Sequence, residues 1–297
     1  MHFDAIRRHK PFYLFISPFF ILFTMFGLYP LLFSLYLSFV KWDGLTEPVW
    51  IAFANFLAMG DDDILFTALW NTLIIGLLYV PPMLILAFLF AVWLNTPVLR
   101  FRAFYRAAFF LPSVTPMVVI AIVFGLIFGL ETGFLNYSIM EAAGLIGISS
   151  EPIPWLDSEQ WSKVSLAMLV LWRWTGYNMI LMLAGLQGIS LEYYEAARVD
   201  GANTLHRMWH ITMPMMRPTF LFCGITSLIG TVYMFDEVFV LTQGGPGISS
   251  LNFGLYLFNT SFTDFRFGYA SAIAYTVATA VFLISLVILR SYRPDKG

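Results

Sequence analysis

The chain has 297 residues, 59% of them hydrophobic and only 11% charged, with a formal net charge of −2 and a mean hydropathy of +0.78. Soluble domains carry roughly 25% charged residues, so most of this surface does not face water and a soluble globular protein is excluded. No basic patch offers itself to nucleic acid, and the single cysteine, Cys223, permits no internal disulfide.

Six apolar stretches reach the roughly 20 residues that a helix needs to cross a bilayer. The first, Phe12–Val40, follows Arg7, Arg8 and Lys10. That basic head looks like a secretory signal, but the apolar part is too long and no small-residue cleavage site follows, so it stays attached. The second, Ile64–Leu99, contains Pro81-Pro82, where lost backbone donors predict a bend. A structural kink and a hinge in a moving bundle are both open readings. Ala107–Leu130 is the third stretch, and Val164–Leu191, interrupted only by Arg173, is the fourth. Pro218–Phe235, at the short limit, and Phe267–Leu289 complete the set. The runs are apolar on all sides, as in Leu84–Val92, without the period-two alternation of barrel strands. Backbone groups in hydrocarbon must pair within the segment. The predicted fold class is therefore an all-α membrane protein with six transmembrane helices.

Between these spans, basic residues gather on alternate loops. Arg100, Arg102 and Arg106 follow span two, Arg198, Arg207 and Arg217 follow span four, and Arg290, Arg293 and Lys296 follow span six. The remaining loops hold Asp43, Glu47, Asp61, Asp62, Asp63, Glu151, Asp157 and Glu159. This asymmetry predicts that both termini are cytoplasmic. Of the outer segments, Glu131–Lys163 contains Gly133, Gly144, Gly147, Pro152 and Pro154, which predict irregular backbone around one short interfacial helix. Trp42, Trp50, Trp155 and Trp161 have the positions of an interfacial aromatic belt. The tail Ser291–Gly297 is expected to be disordered.

The loop between spans four and five is unusually built. Ser190 is placed to cap a helix over Leu191 to about Asp200, with Glu192 in its first turn and Gly201 ending it. Leu205, Met208, Trp209 and Thr212 then recur at helical spacing, predicting a second short helix that Pro214 and Pro218 stop before the next span. On physical grounds the pair is either a knob gripped by another protein or a surface element packing on its own bundle.

Catalytic chemistry finds little support. None of Lys10, Lys41, Lys163 and Lys296 precedes serine or threonine, so no phosphate-binding P-loop exists. His206 and His210 are four apart but lack a third metal ligand nearby, so no metal site is predicted. Charges within spans suggest function by default: Arg173 either pairs with Asp236 or Glu237, faces a watery cavity, or snorkels to the interface.

Glu195–Pro214 reads EAARVDGANTLHRMWHITMP. It closely resembles the EAA loop of permease subunits in ABC importers, with Glu195, Ala196, Ala197, Gly201, Ala202, Ile211 and Pro214 matching and Asp200 suiting the sugar-importer version. Leu241–Gly247 (LTQGGPG) resembles the outer signature of the first permease subunit in maltose-type carbohydrate importers, carried by Gly244, Gly245 and Pro246. Phe109–Ser113 (FFLPS) and Leu186–Ser190 (LQGIS) also resemble that group, although Ser190 stands where proline is common. Trp209 and Met213 replace the usual phenylalanine and leucine, and the long extra outer domain of the maltose-type subunit is absent.

The resemblance implies the type I importer fold, with residues 1–66 as an N-terminal tail, first helix and outer loop. Residues 67–290 would form the transmembrane domain, with the EAA loop at 190–214, and 291–297 a cytoplasmic tail. It implies a permease subunit of an ATP-driven, binding-protein-dependent sugar importer in the bacterial inner membrane. Its partners would be a second, similar permease, two ATPase subunits that hold the ATP and magnesium, and a solute-binding protein. This chain would carry no cofactor and no catalysis. Glu195 would meet an arginine of the ATPase subunit, Gly201 would turn the chain, and Leu205 and Trp209 would dock. Alignment from these anchors points to Trp172, Trp174, Gly176 and Asn178 on span four, and Ser227, Thr231 and Asp236 on span five, as the substrate path. A self-contained secondary carrier or channel is the competing reading; it would need inverted repeats and coupling-ion sites, and it leaves the Glu195 loop unexplained.

Overall fold

The computed structural model describes residues 10–96, 98–149 and 151–291. His2, Arg7, Arg8, His9, Arg293, Lys296 and the tail beyond Ser291 lie outside the described residues. The chain divides into two compact units: the chain up to Asp62 with Leu257–Phe282, and Asp63–Tyr256 with the chain from Leu283 on.

In the first unit α1 (Lys10–Phe23) passes through a π-turn, Thr24–Leu28, into α2 (Tyr29–Leu37). Pro30 accounts for the widened turn. In a regular α-helix its ring would press on the carbonyl four residues back, and the π-turn, closed by the Tyr29 N–H on the Thr24 carbonyl, opens the spiral there. The helix is apolar all round and almost wholly exposed, as a segment solvated by lipid must be. A two-rung hairpin follows, β1 (Val40–Lys41) against β2 (Val49–Trp50), pairing Val40 with Trp50. The buried Asn55 amide, on α3 (Ala54–Ala58), donates to the Ser38 and Val40 carbonyls at 3.0 and 2.9 Å. The last helix, Phe267–Ser291, comes so close that a Cβ on Gly268 would overlap the Val40 carbonyl. Within the hairpin loop Asp43 Oδ1 accepts from the Thr46 amide at 2.8 Å, the Leu45 amide at 3.0 Å and the Thr46 hydroxyl at 2.8 Å. These donors, the Thr46 amide foremost, hold its carboxyl down at about 2.

The second unit is built on α4 (Asp63–Asn95), which packs along α8 (Trp161–Gln187). α4 continues through Pro81 and Pro82 without a break. Between α4 and α8 lie α5 (Arg102–Val114), α6 (Met117–Ile127) and α7 (Phe134–Leu145). α9 (Leu191–Val199), α10 (Thr204–Arg207) and α11 (Met213–Val232) follow α8, and α11 packs on α4 and α8. Ala87, Ala91, Leu94, Met179, Met182, Leu186, Met216 and Cys223 form the buried seam at one end. A Cβ on Gly176 of α8 would overlap the Phe109 carbonyl of α5, so only glycine permits this approach.

Three expectations are corrected. The third span is not one helix: α5 and α6 meet at 96°. Thr115 is extended, with ψ 137°, because Pro116 disfavours the helical region for its predecessor. Among the described residues five helices are long and apolar enough to cross a membrane, or six when this bent pair counts as one. Pro214 and Pro218 do not stop the second loop helix. α10 runs through a second π-turn, Met208–Thr212, into α11, making one apolar helix from Thr204 to Val232. Here Met213 N–H bonds the Met208 carbonyl just before Pro214, the same accommodation as at Pro30. Trp155 is not presented on the surface as an interfacial belt residue would be. It is 5% exposed, donates its indole N–H to Asn136 Oδ1 at 2.9 Å, and packs on Phe128 and Trp161.

Two outcomes follow. Because the Asp43 pKa is depressed in the fold, its stabilisation of the hairpin is present above the ordinary carboxylate range and disappears as pH falls through about 2. Hydrogen exchange at the Leu45 and Thr46 amides, corrected for intrinsic rates, should accelerate between pH 4 and 2 in the wild type and be fast throughout in Asp43→Ala. Gly176→Val should force α5 off α8 and cost at least about 2 kcal/mol, read as a lower thermal midpoint of the purified subunit.

Candidate functional site: a polar cavity and an exposed loop

Within the second unit a cavity of about 510 Å³ opens among α4, α8, α11 and the segment Tyr233–Glu237. Its α8 wall is Val170, Arg173, Trp174, Tyr177 and Asn178. These positions step by three and four and so share one face. Tyr79 and Met83 come from α4, and Thr226, Ser227 and Gly230 from α11. Arg173 Nη1 lies 3.2 Å from Glu237 Oε1 on α12 (Asp236–Leu241), and its guanidinium stands 5.2 Å from the Trp174 ring centre. Both side chains of the pair are largely buried, at 15% and 9% exposure. Arg173 thus takes the pairing option, with Glu237 rather than Asp236 as partner. Two buried atoms here, Arg173 Nε and Asn178 Oδ1, have no hydrogen-bond partner among the described residues.

Of the expected substrate-path residues, Trp174, Asn178, Ser227 and Asp236 line this cavity. Thr231 is buried beside it, its hydroxyl 2.5 Å from Tyr79 Oη and donating to the Ser227 carbonyl. Trp172 and Gly176 lie on other faces of α8. Trp172 meets Phe124 at 5.4 Å, and Gly176 faces α5. Tyr79, Tyr177, Thr226, Gly230, Tyr233 and Glu237 also line the cavity, outside the set chosen from sequence. Reading the helical face through Arg173 finds Val170 and Tyr177, whereas nothing local marks Tyr79.

The segment after α12 is tied down by side chains. Gly244 and Gly247 take left-handed backbone, φ +85° and +59°, and Gly245 N–H bonds the Thr242 carbonyl at 2.9 Å. Ser250 Oγ donates to the Gly245 carbonyl at 2.6 Å, and Pro246 accepts from the Ser249 amide. The Asn71 amide on α4 donates to the Ile248 and Leu251 carbonyls at 3.0 and 2.9 Å, and Thr72 Oγ1 accepts from Phe253 N–H at 2.8 Å. Asn252 donates to the Met234 carbonyl, so the turn beside Asp236 is held from both sides.

At the Glu195 loop, Ser190 Oγ caps α9 by accepting from Glu192 N–H at 3.3 Å. The far end closes as a Schellman motif: Gly201, at φ +81°, bonds the Arg198 carbonyl, and Ala202 bonds that of Ala197. Asn203 Oδ1 then caps α10 at His206 N–H, 2.8 Å, a start signal the sequence reading passed over. Tyr194 Oη meets Thr212 Oγ1 at 3.0 Å, pinning the loop to the π-turn. The expected apolar stripe divides. Met208 and Thr212 turn inward, while Leu205 and Trp209 are 67% and 59% exposed. Glu195, Ala196, Asp200 and Gly201 are exposed, and Ala197, Ile211 and Pro214 are half-buried.

Among the described residues the second unit thus pairs a polar cavity with a capped, exposed loop. The model of the family described as binding-protein-dependent transport system inner membrane component matches residues 84–293. The chain belongs to that family. It is 38% identical to a lactose transport system permease protein of Rhizobium radiobacter, over 96% of this chain and 94% of that one. It is 34% identical to an arabinooligosaccharides transport system permease protein of Bacillus subtilis, over 96% and 89%. The fold matches a subunit of a bacterial ABC transporter involved in the import of the acidic polysaccharide alginate, with TM-score 0.82 and 21% identity over 99% of both chains.

Removing one member of the Arg173–Glu237 pair strands a buried charge, so Glu237→Gln should destabilise the subunit by about 3 kcal/mol, whereas Arg173→Met with Glu237→Leu should be near neutral. A double-mutant cycle on reversible unfolding of the purified subunit checks this; equal losses in single and double variants would refute the pairing.

Proposed function

We propose that this chain is a permease subunit of an ATP-driven, binding-protein-dependent sugar importer, lining half of the translocation pathway. It pairs in the membrane with a second, similar permease. Two ATPase subunits, which bind the ATP and magnesium, seat beneath the pair, and an extracytoplasmic binding protein delivers the sugar. Both termini and the Glu195 loop face the cytoplasm, where the basic residues gather. Residues 67–290 form the translocating domain.

The observation that carries this reading is the Glu195 loop. Its helix ends are capped by Ser190, Asn203 and the Schellman turn, yet it holds Leu205, Trp209 and Glu195 out from its own bundle. A rigid element that exposes apolar side chains suits a partner surface. Glu195 offers that partner's arginine a charge-assisted bond, and Ala196 lets its backbone approach. Movement of the ATPases on binding ATP pulls on α9 and, through the continuous helix from α10 to α11, reaches the cavity wall at Thr226, Ser227 and Gly230. The names of the lactose and arabinooligosaccharide relatives support a carbohydrate as cargo.

In the reconstituted complex, Glu195→Lys should cut solute-stimulated ATPase at least tenfold while the subunit still inserts and assembles. Stimulation at the wild-type level in that variant would remove the loop from the coupling role.

A further inference from the structure

We infer that the cavity of the second unit admits electrically neutral, hydroxyl-rich solutes and turns away those bearing a carboxylate, with Asp236 as the residue that sets the choice. The inference rests on the transport reading above and adds the chemical class of its cargo.

The charged groups lining the cavity are Arg173, Glu237 and Asp236. Arg173 and Glu237 face each other at 3.2 Å and cancel. Asp236 is exposed, lines the cavity, and its side chain has no hydrogen bond or ion pair among the described residues. The balance is one uncompensated negative charge. The charge of the one guanidinium is balanced by Glu237 and it lies beside the Trp174 ring, so only its open Nε–H is left to offer an anionic ligand. Like charges brought within a few ångströms repel.

The unpartnered atoms fit hydroxyls. Asn178 Oδ1 needs a donor and Arg173 Nε needs an acceptor, and both are buried. A hydroxyl is donor and acceptor at once, so a sugar answers both, and the Asp236 carboxylate can accept from two further hydroxyls. Trp174 and Tyr177, edge to face at 5.6 Å, supply apolar ring surface for its C–H groups. A carboxylate on the ligand only accepts. It can answer Arg173 Nε but not Asn178 Oδ1, and it meets Asp236 with like charge. The acidic cargo named for the alginate transporter of matching fold is thus not the class that this cavity suits.

The test uses proteoliposomes holding the full complex with its binding protein. Uptake is measured for lactose, melibiose and maltose, each against its aldonate, in which the reducing aldehyde is oxidised to carboxylate. The wild type should carry at least one neutral sugar, and its aldonate at less than a tenth of that rate. The binding protein is the same in every sample, so the aldonate-to-sugar ratio isolates the permease. That ratio should rise at least tenfold in Asp236→Lys, at least threefold in the near-isosteric Asp236→Asn, and stay within twofold in Asp236→Glu. Comparable uptake of both solutes by the wild type, or a ratio unmoved in Asp236→Lys and Asp236→Asn while the sugar is still carried, overturns the inference. Failure to carry any neutral sugar, with ATPase activity intact, instead overturns the transport reading on which it rests.

Discussion

Hydrocarbon offers no hydrogen bonds, and almost every irregularity in this chain answers that single constraint. At Pro30 and Pro214 a lost donor is absorbed by widening the helix into a π-turn rather than breaking it. Where the backbone leaves helix altogether, buried side-chain amides take over. Asn55 serves two carbonyls of the hairpin, Asn136 serves the Ile153 turn and Trp155, and Asn71 and Asn252 serve the segment after α12. The buried Arg173 is treated alike, through Glu237 and the face of Trp174.

Two regions leave groups open where the proposed function needs them. In the cavity, Arg173 Nε and Asn178 Oδ1 stay open although both are buried. At the Glu195 loop the helix ends are capped but the apolar side chains of Leu205 and Trp209 are not covered. α11 touches both regions, since it continues from α10 without interruption and forms the cavity wall at Ser227. A rigid helix spanning the two gives the proposed coupling a mechanical basis without any further device.

Much of this was legible from local pattern. The apolar runs locate the crossing segments, Ser190 and Gly201 bracket α9, and the charge of Arg173 marks the cavity because a cation in an apolar span needs a partner. Other features were not. Thr115-Pro116 in an apolar run looks the same whether the helix bends gently or turns by 96°. Trp155 has the composition of an interfacial residue, and only Asn136, nineteen positions away, makes it a core residue. Pro214 looks like a stop signal when the widened turn that absorbs it is out of view.

The amino-acid sequence by itself determined class, family and the position of the loop, because these rest on composition, on caps and on spacing within about twenty residues. Tertiary structure alone decided which side chains share the cavity. Tyr79 and Thr231 stand 152 positions apart yet touch, while Trp172 and Trp174, two apart, face different neighbours. The physical reason is that a helix turns about 100° per residue: the alternation of its faces is written locally, but which face meets which partner is settled by long-range packing.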